Sequence, residues 1–408
     1  MFGRVCVGAA FLALAVVVLS GCSLFSDGGD SGVAGVEDEF GYNEGWADSA
    51  IGSDPDVSTE VRRRLVQLSA DGGATTNEIP VRWALVQPGE DLATHCQKRP
   101  SEQPAEHWGG LDEAYSEMLD AGIRPLLVVG DAPCWAAQPP GAGSPVTQCD
   151  PAMASYPPAP AFYDEWQRFV GHVAARYPDA LGIEIGNEPN VPLFWGGCDT
   201  KGQGATYGEL LRRGYDAVKA EETEMPVVTA GMAPNWDPGP YLEDVFAYGN
   251  KHRGSDGALP WDAVAVHAYR ARKDLAAGRS FADSATHELD VVRAAEGTQD
   301  VDDPLWVTEV GASTVSETPS NPNDPHDPLL VHGSNPDQAQ AKALVEIYRR
   351  LVEEGVSVVI VSRFVDTAND PDQPPREQGA GVLRADFTPK PAYAALARQR
   401  GALKSDAR

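Results

Sequence analysis

Positive charge is scarce in this sequence. Its 408 residues include 32 Lys and Arg against 60 Asp and Glu, which gives a formal net charge of −28 at pH 7. A surface this acidic repels nucleic acid and anionic membranes, so we expect neither as a direct partner. The charge does not point to a substrate, because an acidic surface also serves solubility alone.

Several cofactor motifs are also missing from the sequence. No predicted strand is followed by GxGxxG or GxxxxGK[ST], the glycine-rich turns that bind dinucleotides and nucleotide phosphates. No CxxC or histidine cluster indicates zinc, and of eight histidines only His267 stands at the end of a predicted strand. We therefore expect no cofactor and no metal, and the sequence disfavours a metal-dependent hydrolase.

A long apolar run occurs at the N-terminus. Val5–Leu19 follows Arg4 and is shorter than the roughly 20 residues of a membrane-spanning helix, so residues 1–22 are predicted to be an export signal. The tetrad Leu19-Ser20-Gly21-Cys22 resembles the bacterial lipobox, which implies lipidation of Cys22 and anchoring at the outer face of a bacterial cell membrane. An ordinary cleaved signal and an uncleaved anchor are the alternatives. Residues 23–39 are rich in Gly, Ser and Asp, which predicts a flexible tether.

Cysteine is sparse as well. Once Cys6 leaves with the signal and Cys22 takes lipid, four cysteines remain: Cys96, Cys134, Cys149 and Cys198. An even number in an exported chain predicts two disulfide bonds, with three possible pairings. We favour Cys134 with Cys149, because they flank a Pro- and Gly-rich segment with little means of ordering itself, which leaves Cys96 with Cys198.

Between positions 40 and 402 the chain alternates short apolar segments with segments of helical periodicity. The predicted strands are Phe40–Trp46, Ile79–Val86, Ile123–Val129, Leu181–Gly186, Pro226–Ala230, Trp261–Val266, Leu305–Val307 and Val356–Val361. Apolar strands alternating with helices indicate a parallel sheet covered by helices, and eight such units close into a barrel. We therefore predict one α/β domain, a (β/α)8 TIM barrel over residues 40–402. An open doubly wound sheet is the alternative, disfavoured by the missing phosphate turn.

Polar side chains stand at the C-terminal ends of these strands. The segment GIEIGNEPN brings Asn187 and Glu188 to the end of the fourth strand, and LWVTEVG brings Glu309 to the end of the seventh. His267 and Tyr269 stand at the end of the sixth. Because these ends share one rim of a barrel, we expect the side chains to converge on one crevice. Two carboxylates there are the minimum needed to hydrolyse a glycosidic bond by double displacement.

These motifs resemble the retaining glycoside hydrolases of clan A, especially the cellulase-like family 5 and the xylosidase-like family 39. The resemblance covers nearly everything from Phe40 onward. It rests on NEP in the fourth strand with Glu309 in the seventh, on VRW and VHAY in the second and sixth, and on the closing GAGVLRADFTPKPAYAAL. It implies that Glu188 is the general acid and base and Glu309 the nucleophile of an enzyme that cleaves a β-linked glycan.

The resemblance also implies supporting residues. Arg82 would hydrogen-bond the nucleophile and favour its ionised form. Asn187 would donate to the sugar 2-hydroxyl, and His267 and Tyr269 would orient Glu309 and the sugar. The structural alternatives are a buried ion pair for Arg82 and core packing for the pair on the sixth strand.

Three tryptophans are candidates either for sugar binding or for packing. Trp135 and Trp195 are candidates for stacking on sugar faces, with loop packing as the alternative, whereas Trp83 is expected in the core.

The end of the eighth strand departs from the family pattern. The family commonly places a tryptophan there, but this chain has Val361-Ser362-Arg363-Phe364-Val365. We expect Arg363 or Phe364 to take its place. Arg363 is a candidate for binding an acidic or anionic sugar substituent, and a salt bridge to Asp366 is the favoured alternative.

A second function is compatible with the same features. A lipoprotein with a degenerate hydrolase barrel would hold carbohydrate without cutting it. The presence of both Glu188 and Glu309 disfavours that alternative.

Overall fold

The computed structural model of the chain describes residues 33, 36, 38–43, 59–88, 105–137, 156–192, 194–195, 203–221, 223–318, 320–367 and 375–406. These residues all belong to one compact unit, Gly32–Arg408. The predicted signal peptide with Cys22, and most of the predicted tether, lie outside the described residues. None of the described helices is both long enough and apolar enough to cross a membrane.

Eight parallel strands form the sheet. They are β1 (Glu39–Asn43), β2 (Thr76–Arg82), β3 (Arg124–Gly130), β4 (Gly182–Ile185), β5 (Val227–Thr229), β6 (Val264–His267), β7 (Leu305–Val310) and β8 (Val358–Val361). The order is β5-β4-β3-β2-β1-β8-β7-β6. A parallel bridge between Val228 and Ala263, with a 3.1 Å hydrogen bond from Thr229 N to Ala263 O, joins β5 to β6. The predicted (β/α)8 TIM barrel is confirmed.

A helix follows each strand and covers the sheet from outside. The helices are α1 (Thr59–Asp71), α2 (Gly109–Asp120), α3 (Tyr163–Arg176), α4 (Gly204–Ala220), α5 (Pro238–Lys251), α6 (Phe281–Thr298), α7 (Pro336–Glu353) and α8 (Pro391–Asp406). Short helical turns lie at Trp83–Val86, Pro160–Phe162, Pro234–Trp236, Arg272–Ala276 and Glu377–Ala380. The second strand was predicted to continue to Val86 but ends at Arg82, because Trp83–Val86 form one of these turns.

The helix ends follow local chemistry. Ser280 caps α6 by accepting a hydrogen bond from Asp283 N at 3.1 Å, and Asn335 caps α7 by accepting one from Gln338 N at 3.3 Å. Such caps typically contribute about 1 kcal/mol each. Past the end of α2, Gly122 adopts a φ of 77°, the left-handed conformation that commonly ends a helix at a glycine.

The barrel interior changes character along its axis. Near the start of the strands it is filled by the fully buried Trp306, and a Cβ atom on Gly182 would lie 3.4 Å from its indole ring. Leu126 and Ile360 belong to the same apolar cluster. Two residues further along β7, Thr308 is also buried, so polar groups begin where the strands approach the rim.

The pairing of β7 is irregular at this point. Val266 pairs with Val307 but His267 pairs with Glu309, which leaves Thr308 as an extra residue. The register against β8 also shifts between Val307 and Val310. Such a bulge re-aims the side chains beside it, and here these include Glu309.

Candidate active site

Glu188, His267 and Glu309 meet at the C-terminal rim of the barrel. One carboxylate oxygen from each glutamate and one ring nitrogen of His267 all lie within 4.8 Å of one another. The two carboxylate side chains are 17% and 15% exposed. In retaining glycosidases the two carboxyl groups stand about 5–5.5 Å apart, and the observed proximity fits that arrangement.

Glu188 projects from a tight turn after β4. Its backbone has a φ of 42°, in the left-handed region that non-glycine residues rarely adopt, and such strain costs on the order of 1–3 kcal/mol. The turn is held by a hydrogen bond of 3.1 Å from Glu188 N to Gly231 O. The preceding Asn187 is half-buried, and its amide makes no hydrogen bond with another described residue, so it is available to a ligand.

Two neutral donors among the described residues hold Glu309. Its Oε1 accepts a hydrogen bond from Asn43 Nδ2 at 3.3 Å, and its Oε2 accepts one from Tyr269 OH at 2.7 Å. Donors to a carboxylate favour its ionised form. The position of Tyr269 agrees with its predicted orienting role. Asn43 was missed because the first strand was predicted to continue to Trp46, whereas β1 ends at Asn43.

Glu188 shares its hydrogen bond with His267. His267 Nδ1 lies 2.9 Å from Glu188 Oε1 and 3.9 Å from Glu309 Oε2. Burial alone lowers the pKa of His267, but the charge of Glu309, the hydrogen bond to Glu188 and the charge of Glu184 raise it to about 10. At neutral pH the ring is therefore an imidazolium that donates to Glu188. The other oxygen of Glu188, Oε2, has no hydrogen bond from a described residue.

A third glutamate lies beneath this pair. Glu184 in β4 is almost fully buried, and its Oε1 accepts hydrogen bonds from Gly231 N at 2.9 Å and Thr308 Oγ1 at 3.4 Å. Burial raises the pKa of Glu184 to about 7, against the opposing charge of His267. This residue was not among those predicted from the sequence. Its signal was an acidic residue between two apolar ones, in GIEIG.

Gly231 touches three members of the site. Its N–H donates to Glu184, its carbonyl accepts from Glu188 N, and the His267 ring packs against its Cα. A Cβ atom at this position would lie 2.0 Å from His267 Cδ2. Only glycine therefore permits the observed position of the imidazole.

Arg82 does not make its predicted hydrogen bond to Glu309. Its Nε donates to Asp131 Oδ2 at 2.7 Å, and both side chains are about one third exposed. Arg82 therefore forms the ion pair that was its structural alternative, and Asn43 and Tyr269 are the described hydrogen-bond donors to Glu309.

Trp135 and Trp195 are packing residues rather than open platforms, which corrects their predicted stacking role. Trp135 is 5% exposed, its Nε1 donates to Gln87 O at 3.0 Å, and its ring meets Trp83 edge to face. Trp195 is 9% exposed and meets Tyr207 in the same way. Trp83 is fully buried, as predicted.

The residues that follow β8 contact other parts of the protein. Phe364 is fully buried with its ring centroid 4.6 Å from that of Tyr42. Asp366 Oδ1 binds Lys390 Nζ at 2.8 Å, so the anticipated salt bridge from Arg363 to Asp366 does not form.

The predicted disulfides are tested only at one position. Cys134 is disulfide-bonded. Cys96, Cys149 and Cys198 lie outside the described residues, so both pairings stay predictions.

Two groups among the described residues have the spacing of metal ligands. In the active-site group, His267 Nδ1 lies at a hydrogen-bond distance of 2.9 Å from Glu188 Oε1, so the group is already linked internally. The other group is Asp274, His287 and Glu288, on and before α6. Arg279 Nη1 lies 2.7 Å from Asp274 Oδ1 and Lys273 Nζ lies 3.7 Å from Glu288 Oε1, so positive side chains already balance both carboxylates.

Comparison with known proteins supports the fold. No protein-family model and no curated protein sequence matches the chain. Its structural neighbours are glycoside hydrolases of families 39 and 5. They include a GH5_18 variant from Streptomyces cattleya in complex with Manβ1-4GlcNAc, with 18% identity and a TM-score of 0.63 over 90% of this chain and 81% of the neighbour.

Two further neighbours belong to the same group. A monomeric β-xylosidase from Caulobacter crescentus CB15 is 18% identical, with a TM-score of 0.58 over 89% of this chain and 67% of its own. A family 39 glycoside hydrolase from the gut symbiont Bacteroides cellulosilyticus WH2 is 19% identical, with a TM-score of 0.53 over 86% of this chain. The match spans 62% of that enzyme, less than two thirds of its length. At these identities the likeness establishes the fold.

Proposed function

We propose that this protein is a retaining glycoside hydrolase that cleaves a β-linked glycan, with Glu309 as nucleophile and Glu188 as general acid and base. One observation carries the proposal: two carboxylates with oxygens within 4.8 Å of each other have different hydrogen-bond partners in one crevice. The neighbours described as a β-xylosidase and an exo-β-1,4-mannosidase support a β-linked substrate.

The division of labour follows from the partners. Asn43 and Tyr269 both donate to Glu309, which stabilises the anion that attacks the anomeric carbon. Glu188 accepts through Oε1 from His267, and the negative charge of Glu309 beside it favours a proton on Oε2, which the leaving oxygen then receives. When Glu309 becomes covalently bound, its negative charge disappears, so Glu188 loses a proton more readily and activates water. Asn187 stands next to Glu188 with its amide available for the sugar 2-hydroxyl.

The test is covalent trapping. The protein is incubated with a panel of 2-fluoro glycosides that includes β-xylosyl and β-mannosyl donors, and the labelled peptide is identified by mass spectrometry. We expect the label on Glu309 and, by NMR, release of the β-anomer first from the corresponding substrate. A label on another residue, or first release of the α-anomer, would overturn the assignment. Carbohydrate binding without label or turnover across the panel would favour the non-catalytic binding protein.

We also propose that the enzyme is anchored outside the cell through lipid on Cys22, supported by the tetrad Leu19-Ser20-Gly21-Cys22. More than one acyl chain holds a protein at a membrane stably. In a bacterial host fed an alkyne-tagged fatty acid, we expect the native chain to be labelled and membrane-bound and Cys22→Ser to be unlabelled. Equal labelling of both chains would contradict the proposal.

A further inference from the structure

Large apolar side chains are rarely exposed in the described part of this chain. Phe194 is 38% exposed and Trp236 is 51% exposed, and they are the only large hydrophobic residues there with exposed side chains. A single exposed aromatic residue needs no explanation. These two, however, stand on successive loops of the same rim, after β4 and after β5.

The two loops are joined by direct hydrogen bonds. The buried Asn190 donates from Nδ2 to Ala233 O at 3.0 Å and to Trp236 O at 3.4 Å, and it accepts from Ala233 N at 3.0 Å. Asn190 lies two residues after Glu188, whose own N–H donates to Gly231 O. The backbone of Trp236 is therefore tied to the loop that carries Glu188.

The loop after β5 is held on its other side as well. Asn235 Oδ1 accepts a hydrogen bond of 2.9 Å from Arg272 N, shortly beyond the end of β6. Pro238 then begins α5. The loop that carries Trp236 is thus fixed by hydrogen bonds on both sides. A loop that is already ordered loses less conformational entropy on binding than a flexible loop does.

Trp236 also differs from the other tryptophans. The other seven described tryptophans are buried, including Trp135 and Trp195, whose faces are covered by protein. Trp236 alone among them offers an open indole. An amphipathic sugar ring places apolar C–H groups on such a surface while its hydroxyls stay in water.

We propose that Trp236, with Phe194 on the adjoining loop, forms the subsite that binds the leaving-group sugar. This inference rests on the proposed function. The general acid protonates the leaving oxygen, so the leaving group must lie on the side of Glu188, and the two loops joined by Asn190 carry that side. The ligand is therefore a saccharide aglycone rather than the sugar that becomes bonded to Glu309.

The experiment compares two substrates that share the reacting sugar found by covalent trapping. One has a second sugar as leaving group, and the other is the glycosyl fluoride, whose leaving group is too small to reach the loops. For Trp236→Ala we expect kcat/KM to fall at least 10-fold on the disaccharide and to stay within twofold on the fluoride. Trp236→Phe should recover most of the loss, and Phe194→Ala should show a smaller loss of the same selectivity.

Added acceptor sugar gives a second readout. In the wild type it should intercept the glycosyl-enzyme and yield transfer product from the fluoride, and Trp236→Ala should lower the ratio of transfer to hydrolysis. An equal loss on both substrates, or no loss on either, would overturn the subsite. Failure of the proposed function is distinct, because the wild type would then turn over neither substrate. Trp236 is exposed, so an unchanged melting temperature is expected for its variants.

Discussion

The two ends of the barrel interior are built from the same strands but differ in chemical character. At the start of the strands, Trp306 packs against Gly182 in a cluster without charge. Toward the rim, Glu184, His267, Glu188 and Glu309 bring three carboxylates and one imidazolium together. Stability is concentrated where side chains exclude water without charge, and the capacity for chemistry is concentrated where charges are forced to interact. Changes at the apolar end are therefore expected to affect stability more than the reaction, and changes to the two rim glutamates to affect the reaction more than stability.

The largest expected effect is a loss of activity caused by a substitution at the charged end. Glu309→Gln should lower kcat by roughly 10⁴-fold or more, because it removes the proposed nucleophile. The amide is similar in size and keeps the same donors nearby, so the melting temperature should change little. Glu188→Ala should also be slow but recover with azide, giving the β-glycosyl azide. Full activity in Glu309→Gln, or no rescue of Glu188→Ala, would contradict the assignment of catalysis to the charged end.

The converse variant tests the apolar end. Trp306→Ala should lower the free energy of unfolding by about 3–5 kcal/mol, because it leaves a cavity in the centre of the barrel. Chemical denaturation measures this loss, and active-site titration of the folded fraction should give kcat within a few-fold of the wild type. Trp306→Phe should recover part of the stability. A selective loss of kcat in Trp306→Ala, with stability intact, would show that the two ends are not separable.

The third prediction concerns pH. Burial raises the pKa of Glu184 from 4.5 to about 7, so the native state holds this proton more tightly than the unfolded chain does. The stability associated with it is complete below pH 4.5, declines as pH rises through 7, and changes no further above that. The shift corresponds to on the order of 3 kcal/mol. The difference between the urea midpoints at pH 4.5 and pH 7.5 should therefore be smaller in Glu184→Gln than in the wild type.

His267 defines a different pH window. Its pKa is raised from 6.5 to about 10 despite burial, mainly by Glu309 and Glu188. Its contribution to stability is thus complete below pH 6.5 and is lost as pH rises through 10. His267→Gln should flatten the alkaline decline and leave the acid window in place. A wild-type stability that rises from pH 6.5 to 10 would contradict the charge assignment.

The smallest predicted change is a matched pair of glycine variants. Gly231→Ala places a Cβ atom 2.0 Å from the His267 ring, so the imidazole must move away from Glu188. We expect kcat/KM to fall at least 10-fold. Gly297→Ala, in α6 with nothing within 4 Å of the new atom, should leave activity unchanged and stabilise the protein by about 0.5–1 kcal/mol. Equal activities in the two variants would refute the account of Gly231.

The successes and errors of sequence interpretation fall on different kinds of residue. Glu188, Glu309 and His267 were correctly placed at one rim because each follows an apolar strand, and strand ends in a barrel must share a rim. Arg82 was placed by the same rule but assigned the wrong partner, because strand position does not specify which carboxylate a long side chain reaches, and Arg82 reaches Asp131.

The tryptophans show the same division. Trp135 and Trp195 stand at suitable places along the chain, yet their rings turn inward against other aromatic residues. Trp236 carried no motif, and its exposed side chain is seen only in the folded structure, where Asn190 binds its backbone oxygen.

The sequence by itself determined the order of strands and helices and the rim on which the polar residues stand, because apolar periodicity and strand direction are local properties. Only the tertiary structure decided which donor serves which glutamate. That choice depends on the extra residue at Thr308, on the left-handed turn at Glu188 and on the close approach of Gly231 to His267. Each of these sets distances between residues remote along the chain, and such distances arise only when the strands have been packed together.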